Sequence, residues 1–153
     1  MKKLIMLDID GVLVTWNSIK RFGLDSENRA HFDKRCVKNL NRLIKETGAE
    51  IVVSSTWRCG TLENELQRIL DRNGVKGKVI GKTPMTSRPR GEEIKLFLAA
   101  FNEGREEPVK ILILDDDNDF TMDQQPFHVR SNMDDGLTKE LTDQAIQILG
   151  RIK

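Results

Sequence analysis

The sequence has few of the residues that build disulfide frameworks or zinc centres. Cys36 and Cys59 are its only cysteines, and His31 and His128 are its only histidines. Because the cysteines form no CxxC pair, they favour two free thiols in a reducing compartment. A zinc site would need ligands beyond this set. We therefore expect a cytoplasmic protein without a zinc centre.

Long apolar runs are also missing. No stretch approaches the ~20 apolar residues that span a bilayer. The apolar run near the N-terminus ends at Asp8, which is too early for the core of a secretory signal. We therefore expect neither export nor a membrane partner.

The charges show no strong excess of either sign. Lysine and arginine number 25 against 24 aspartates and glutamates, which leaves a formal net charge of +1. The field of the whole protein therefore does not indicate a nucleic-acid binder, although a local basic strip can hide in a neutral total. One predicted helix carries such a strip. We expect it to be a solvated face, with nucleic-acid contact as the alternative, and it consists of Lys34, Arg35, Lys38, Arg42 and Lys45.

The pattern of apolar residues predicts alternating strands and helices. The 153 residues favour one domain, 1–153, with enough chain to bury a core. Such alternation predicts an α/β fold with a mainly parallel sheet covered on both faces. The predicted strands are 4–7, 51–53, 78–80, 111–114 and 127–129, and the predicted helices are 32–45, 62–70, 92–101 and 138–148.

Polar side chains come directly after three of these strands. Asp8, Ser54 and Asp115 each follow an apolar run. Right-handed crossovers place the carboxyl ends of parallel strands on one edge of the sheet, where ligands bind. The sequence therefore predicts a crevice that receives two acids and a hydroxyl.

Two acidic clusters converge on this predicted crevice. The first contains Asp8 and Asp10, and the second runs from Asp115 to Asp119. Carboxylates brought together repel one another unless a cation lies between them. Oxygen ligands without histidine suit magnesium, which commonly joins carboxylates to a substrate phosphate. We therefore expect a Mg²⁺ site here.

These motifs resemble the signatures of the haloacid dehalogenase-like phosphatases. The run Leu-Asp-Ile-Asp-Gly-Val at 7–12 resembles the first signature, Ile-Val-Val-Ser at 51–54 the second, and Ile-Leu-Asp-Asp-Asp-Asn-Asp at 113–119 the fourth. The third signature is normally a lysine. Here Arg90 is the candidate, with Lys95 or Lys82 as substitutes. Ser-Ser-Thr-Trp-Arg and Arg-Gly-Glu-Glu-Ile are most similar to small phage and bacterial members related to phosphatase domains of nucleic-acid repair enzymes.

The resemblance implies a role for each residue at the strand ends. Asp8 would be the nucleophile that forms an aspartyl-phosphate, and Asp10 the general acid and then base. Ser54 and Arg90 would bind the phosphoryl oxygens. The metal would be held by Asp8, the backbone carbonyl of Asp10, Asp116 and Asp115, with Asp119 nearby.

The resemblance also suggests where the substrate lies. Ser55, Trp57 and Arg58 directly follow the second signature, and we expect them to contact it. The alternative for Trp57 is a side chain that lines the sheet edge. The alternative for Arg58 is a side chain that makes no contact with phosphate. Residues from about 13 to 32 would form a flap in place of a cap domain.

The expected function is hydrolysis of a phosphomonoester, on a nucleotide or on a polynucleotide end. The alternatives are a phosphate- or nucleic-acid-binding module without turnover on the same fold, and a phosphotransferase. A receiver domain of two-component signalling shares the sheet but ends its middle strand in an aspartate. Here that strand ends in Ser54, which favours the phosphatase.

Overall fold

A single five-stranded sheet organises the protein. The computed structural model describes residues 1–153, and all strand pairs in it are parallel, in the order β3-β2-β1-β4-β5. This confirms the predicted α/β class. The strands are β1 (Lys2–Leu7), β2 (Glu50–Val53), β3 (Val79–Lys82), β4 (Val109–Asp115) and β5 (His128–Arg130).

Helices cover both faces of the sheet because every central strand is apolar on both sides. The helices are α1 (Trp16–Phe22), α2 (Lys34–Thr47), α3 (Glu63–Arg72), α4 (Arg90–Asn102) and α5 (Lys139–Leu149). Ile5 and Leu7 of β1 belong to the larger hydrophobic cluster, with α2, α3 and α5. Leu4 and Met6 point the other way, into a smaller cluster with α4. No helix is both long and apolar enough to cross a bilayer.

Helix α1 lies in the predicted flap, and the apolar pattern did not indicate it. It has only seven residues, fewer than periodicity can identify. A capping box starts it, in which the Thr15 and Ser18 side chains satisfy each other's backbone N–H groups. The Thr15 hydroxyl also donates to Asp33, the N-cap of α2, at 2.8 Å. The flap is thereby joined to the start of α2.

A buried ion pair links the segment after β2 to helix α4. Nη2 of Arg58 lies 2.8 Å from Oε1 of Glu93, and the two side chains are only 3% and 4% exposed. Arg58 also donates to the carbonyls of Ser55 and Thr83, at 2.6 and 3.0 Å. The other oxygen of Glu93 accepts from the backbone N–H of Thr86 at 2.7 Å. This pair therefore ties together three segments at the carboxyl edge of the sheet.

Removing one partner of this pair should destabilise the protein strongly. A lone buried charge keeps its desolvation cost, so we expect Glu93→Gln to lower the free energy of unfolding by about 3–5 kcal/mol. The double variant Arg58→Met/Glu93→Leu should lose less than Glu93→Gln, since no unpaired charge remains. Urea unfolding measures both.

The exposed pair of Arg151 and Glu46 is a matched control, because the Arg151 side chain is 65% exposed. Arg151→Met should change stability by less than about 1 kcal/mol. A loss in Glu93→Gln no larger than in this control would contradict the structural role of the buried pair.

Candidate active site

Three adjacent strand ends bring together the acids and the hydroxyl that the sequence predicted there. In the sheet, Leu7 pairs with Val53 on one side and with Leu114 on the other. The next residue of each strand therefore lies at the same level, which places Asp8 between Ser54 and Asp115. All three are buried, with exposures of 1–2%.

A tight turn follows Asp8 and brings the two acidic segments close. The carbonyl of Ile9 accepts from the N–H groups of Val12, Leu13 and Val14. Gly11 has a φ of +81°, and a Cβ on it would overlap the carboxylate of Asp116. Glycine is needed here both for the backbone conformation and for the contact between the segments.

Arg90 lies against the buried carboxylates. Its Nη1 is 3.0 Å from Oδ2 of Asp8 and 2.7 Å from Oδ2 of Asp115. Its backbone N–H donates to the side chain of Asp119 at 3.0 Å, at the start of α4. One guanidinium therefore contacts two acids from neighbouring strands.

The two lysines considered as substitutes lie elsewhere. Nζ of Lys82 donates to the carbonyl of Thr61 at 2.7 Å. Lys95 is exposed on α4. The cation that the structure brings to Asp8 is thus Arg90.

The surroundings of the two buried acids raise the pKa of each. Burial, together with the charge of Asp115, raises the pKa of Asp8 to about 9 although Arg90 acts in the opposite direction. Burial also raises the pKa of Asp115, against the effect of Arg90. Burial lowers the pKa of Arg90, but the charges of Asp8 and Asp115 outweigh it and raise that pKa. A further cation at this point would favour the ionised form of Asp8, which a nucleophile needs.

Three carboxylates could hold such a cation. Ligand oxygens of Asp8, Asp115 and Asp116 all lie within 4.8 Å of one another. This oxygen-only set fits Mg²⁺. Asp117 is exposed and outside the cluster. The exposed side chain of Asp119 accepts from the first N–H of α4 instead.

The side chain of Asp10 is not part of this cluster and contacts Trp57 instead. Nε1 of Trp57 lies 3.2 Å from each carboxylate oxygen of Asp10. The indole packs edge-on against Phe32, with ring centroids 5.8 Å apart. Trp57 therefore orients Asp10 beside the crevice, so its ring contributes more than a lining of the sheet edge.

The hydroxyl of Ser54 is buried and has no hydrogen-bond partner. Leaving a buried hydroxyl unpaired costs free energy, so this position favours a hydroxyl that donates a hydrogen bond to a bound ligand. The neighbouring hydroxyl of Ser55 instead accepts from the N–H of Trp57 at 3.3 Å, as a cap of the turn Thr56–Arg58.

The sequence did not predict the position of Thr83 or the internal contacts of Arg58. The hydroxyl of Thr83, which follows β3 beside Ser54, is also buried and unpartnered. A single threonine after a weak strand gives no signal in the sequence. Arg58 is fully engaged inside the protein, as described above, so its position favours support of Ser55 over direct contact with substrate.

The comparisons with known proteins give one match. Residues 4–142 match the family described as the HAD domain in Swiss Army Knife RNA repair proteins. No curated protein and no solved structure matches the chain. The matched range includes every residue of the site described above.

Removing Asp116 should weaken magnesium binding far more than removing Asp117. Asp116 lies in the carboxylate cluster, whereas Asp117 points into solvent. We expect Asp116→Ala to lose at least about tenfold in Mg²⁺ affinity, and Asp117→Ala to stay close to wild type. Isothermal titration calorimetry measures both. Equal affinity in Asp116→Ala and wild type would show that the metal lies elsewhere.

Proposed function

The chain belongs to the family of HAD domains in Swiss Army Knife RNA repair proteins, and on that premise we propose that it is a magnesium-dependent phosphatase. It hydrolyses a phosphomonoester through an aspartyl-phosphate on Asp8. Family membership supports a phosphatase-type function in nucleic-acid repair. The observation that carries the proposal is the contact of Arg90 with both Asp8 and Asp115, beside the unpartnered hydroxyl of Ser54.

In the first step, a carboxylate oxygen of Asp8 forms a bond to phosphorus and the ester P–O bond breaks. Asp10 gives its proton to the leaving oxygen, which departs as an alcohol. The hydrogen bond from Trp57 holds the Asp10 carboxyl group next to the crevice for this transfer.

In the second step, water replaces the enzyme on phosphorus. Asp10, now ionised, takes a proton from the water as the water oxygen bonds to phosphorus. The bond from phosphorus to Asp8 breaks, which releases inorganic phosphate and restores the free carboxylate. Asp10 thus serves first as the acid and then as the base, and it regains from water the proton that it gave to the leaving group.

Charge on the phosphoryl group is stabilised by donors already in place. The buried hydroxyl of Ser54 donates to one phosphoryl oxygen, and the guanidinium of Arg90 spans another oxygen and Asp8. Magnesium bound by Asp8, Asp116, Asp115 and the carbonyl of Asp10 would supply further positive charge to these oxygens.

The shape of the site supports a bulky substrate. Between β1 and α2 the chain forms only the turn after Asp8, the seven-residue helix α1 and a loop. A segment of this size forms a flap beside the crevice and leaves it open. We therefore propose a nucleotide or a polynucleotide end as the carrier of the phosphate.

An assay with a generic aryl phosphate and Mg²⁺ tests the proposal. We expect turnover by the wild type and a loss of at least about a thousandfold in Asp8→Asn, because the amide cannot act as the nucleophile. Asp117→Asn is the matched control and should retain activity. If neither protein turns over any phosphorylated nucleotide or oligonucleotide with any divalent metal, the phosphatase proposal is wrong. The alternative, a binding module without turnover on this fold, would then be favoured. Faster product formation with added alcohols would indicate a phosphotransferase.

Arg90→Ala should lower turnover at least about a hundredfold while the protein stays folded, since it removes the cation that contacts Asp8 and the phosphoryl group. Arg90→Lys should restore only part of the rate, because an ammonium cannot make two parallel hydrogen bonds. Steady-state kinetics and circular dichroism measure rate and folding. Near-normal kinetics in Arg90→Ala, with a large loss in Lys95→Ala or Lys82→Ala, would assign the role to a different cation.

A further inference from the structure

A basic groove runs along the outer side of helix α2, away from the crevice. It encloses about 720 Å³, and no carboxylate lines it. Its floor is Val37 and Ile44, and Lys76 approaches from the loop after α3. The other cations that line it are Lys34, Lys38, Arg42 and Lys45.

Most of this charge is free to meet a ligand. Arg42 forms ion pairs with Glu46 and Asp143. The four lysines of the groove form no ion pair. A second groove of about 440 Å³ adjoins the first through Lys38 and Arg42. It adds Lys139, which forms no ion pair, and Arg35, which is paired with Asp33. In a protein with a net charge of only +1, this side is therefore strongly basic.

An aromatic pocket continues the groove at its Lys34 end. This pocket encloses about 310 Å³ between Phe22 of the flap and Arg72 at the end of α3. The ring of Phe22 is 42% exposed, and Nζ of Lys34 lies 5.6 Å from its centroid. Phe32 also lines the pocket and packs against Trp57, the residue that holds Asp10. The groove and the pocket therefore share Lys34, and the pocket is linked to the crevice by the contact of Phe32 with Trp57.

We propose that this groove binds the phosphate backbone of a single-stranded polynucleotide and that Phe22 stacks on one of its bases. A charged groove beside an exposed aromatic ring is the combination that holds single strands without reading sequence. From Lys34 to Lys45 the helix rises about 16 Å, which is long enough for several phosphates. The direction of the strand, with its end towards Asp8, rests on the proposed function; binding in the groove does not.

The test uses a fluorescent oligonucleotide of about twelve nucleotides with hydroxyl groups at both ends. Such a probe can enter the groove and is not a substrate, so binding is measured independently of hydrolysis. RNA and DNA versions show whether the sugar matters. Affinity is measured by fluorescence anisotropy at several salt concentrations.

The double variant Lys38→Ala/Lys45→Ala should weaken binding at least about tenfold and flatten the slope of log affinity against log salt by about 1.4, for two lost contacts. Lys95→Ala/Lys110→Ala removes two charges outside both grooves and should leave affinity and slope unchanged. Wild-type binding by the groove variant, or an equal loss in the control, would overturn the proposal.

Phe22→Ala separates strand binding from general attraction to polyanions. It should weaken oligonucleotide binding at least about fivefold and leave the salt slope unchanged, because stacking releases no counterions. Binding of heparin should not change in this variant. An equal effect on heparin and the oligonucleotide, or no effect on either, would overturn the assignment to a single strand.

The same variants distinguish this proposal from the proposed phosphatase. Lys38→Ala/Lys45→Ala should hydrolyse an aryl phosphate at the wild-type rate and lose kcat/KM, through KM, on an end-phosphorylated oligonucleotide. A wild type that hydrolyses nothing but binds the probe through the groove would defeat only the phosphatase. A wild type that hydrolyses aryl phosphate but binds the probe no better than the groove variant would defeat only the groove.

Discussion

The repulsion between the carboxylates of Asp8 and Asp115, at the ends of the neighbouring strands β1 and β4, is the constraint on which the rest of this structure depends. Two such charges about 4 Å apart cost about 4 kcal/mol at an effective dielectric constant near 20. Burial of Asp8 and Asp115 adds a desolvation cost, which is why the pKa of each is raised. A fold that keeps this pair buried at the carboxyl edge of the sheet must bring a cation to it. Arg90 is in contact with both acids.

The placement of Arg90 depends in turn on how the start of helix α4 is held against its neighbours. Gly91 lies so close to the loop after β4 that a Cβ on it would overlap Gln124 and crowd Phe120. Its N–H donates to the carbonyl of Asp119 at 3.1 Å, and its carbonyl accepts from the Gln124 side chain at 2.9 Å. The first turn of α4 is therefore docked on the acidic loop. In the same turn, Glu93 and its buried partner Arg58 fix the helix to the segment after β2. Two independent contacts therefore hold the start of α4, from which the Arg90 guanidinium extends.

The sequence predicted those parts of the structure that follow from local pattern. Doubly buried strands are apolar throughout, so β1, β2 and β4 were evident, and parallel order then placed Asp8, Ser54 and Asp115 together. Side-chain contacts between residues far apart in the chain could not be predicted from the sequence. Arg58 looked like a phosphate contact because it follows the hydroxyl cluster, but Glu93, 35 residues later, holds it inside the protein. Trp57 follows the same cluster and gives no sign in the sequence of its contact with Asp10, to which the structure directs its N–H.

The segregation of charge bears directly on how such a site can accept a polynucleotide. The crevice is lined by acids, so a long phosphate backbone would gain nothing by lying across it. In the proposed reaction, a terminal phosphate would be stabilised there by Arg90 and a metal. Affinity for the remainder of the strand has to come from another surface. The unpaired lysines of α2 lie on such a surface, and the flap residue Phe22 lines the pocket that adjoins it at Lys34. A near-neutral total charge therefore conceals two opposite fields: a negative one at the crevice, where a phosphate needs a cation, and a positive one along α2, where a polynucleotide backbone would be attracted.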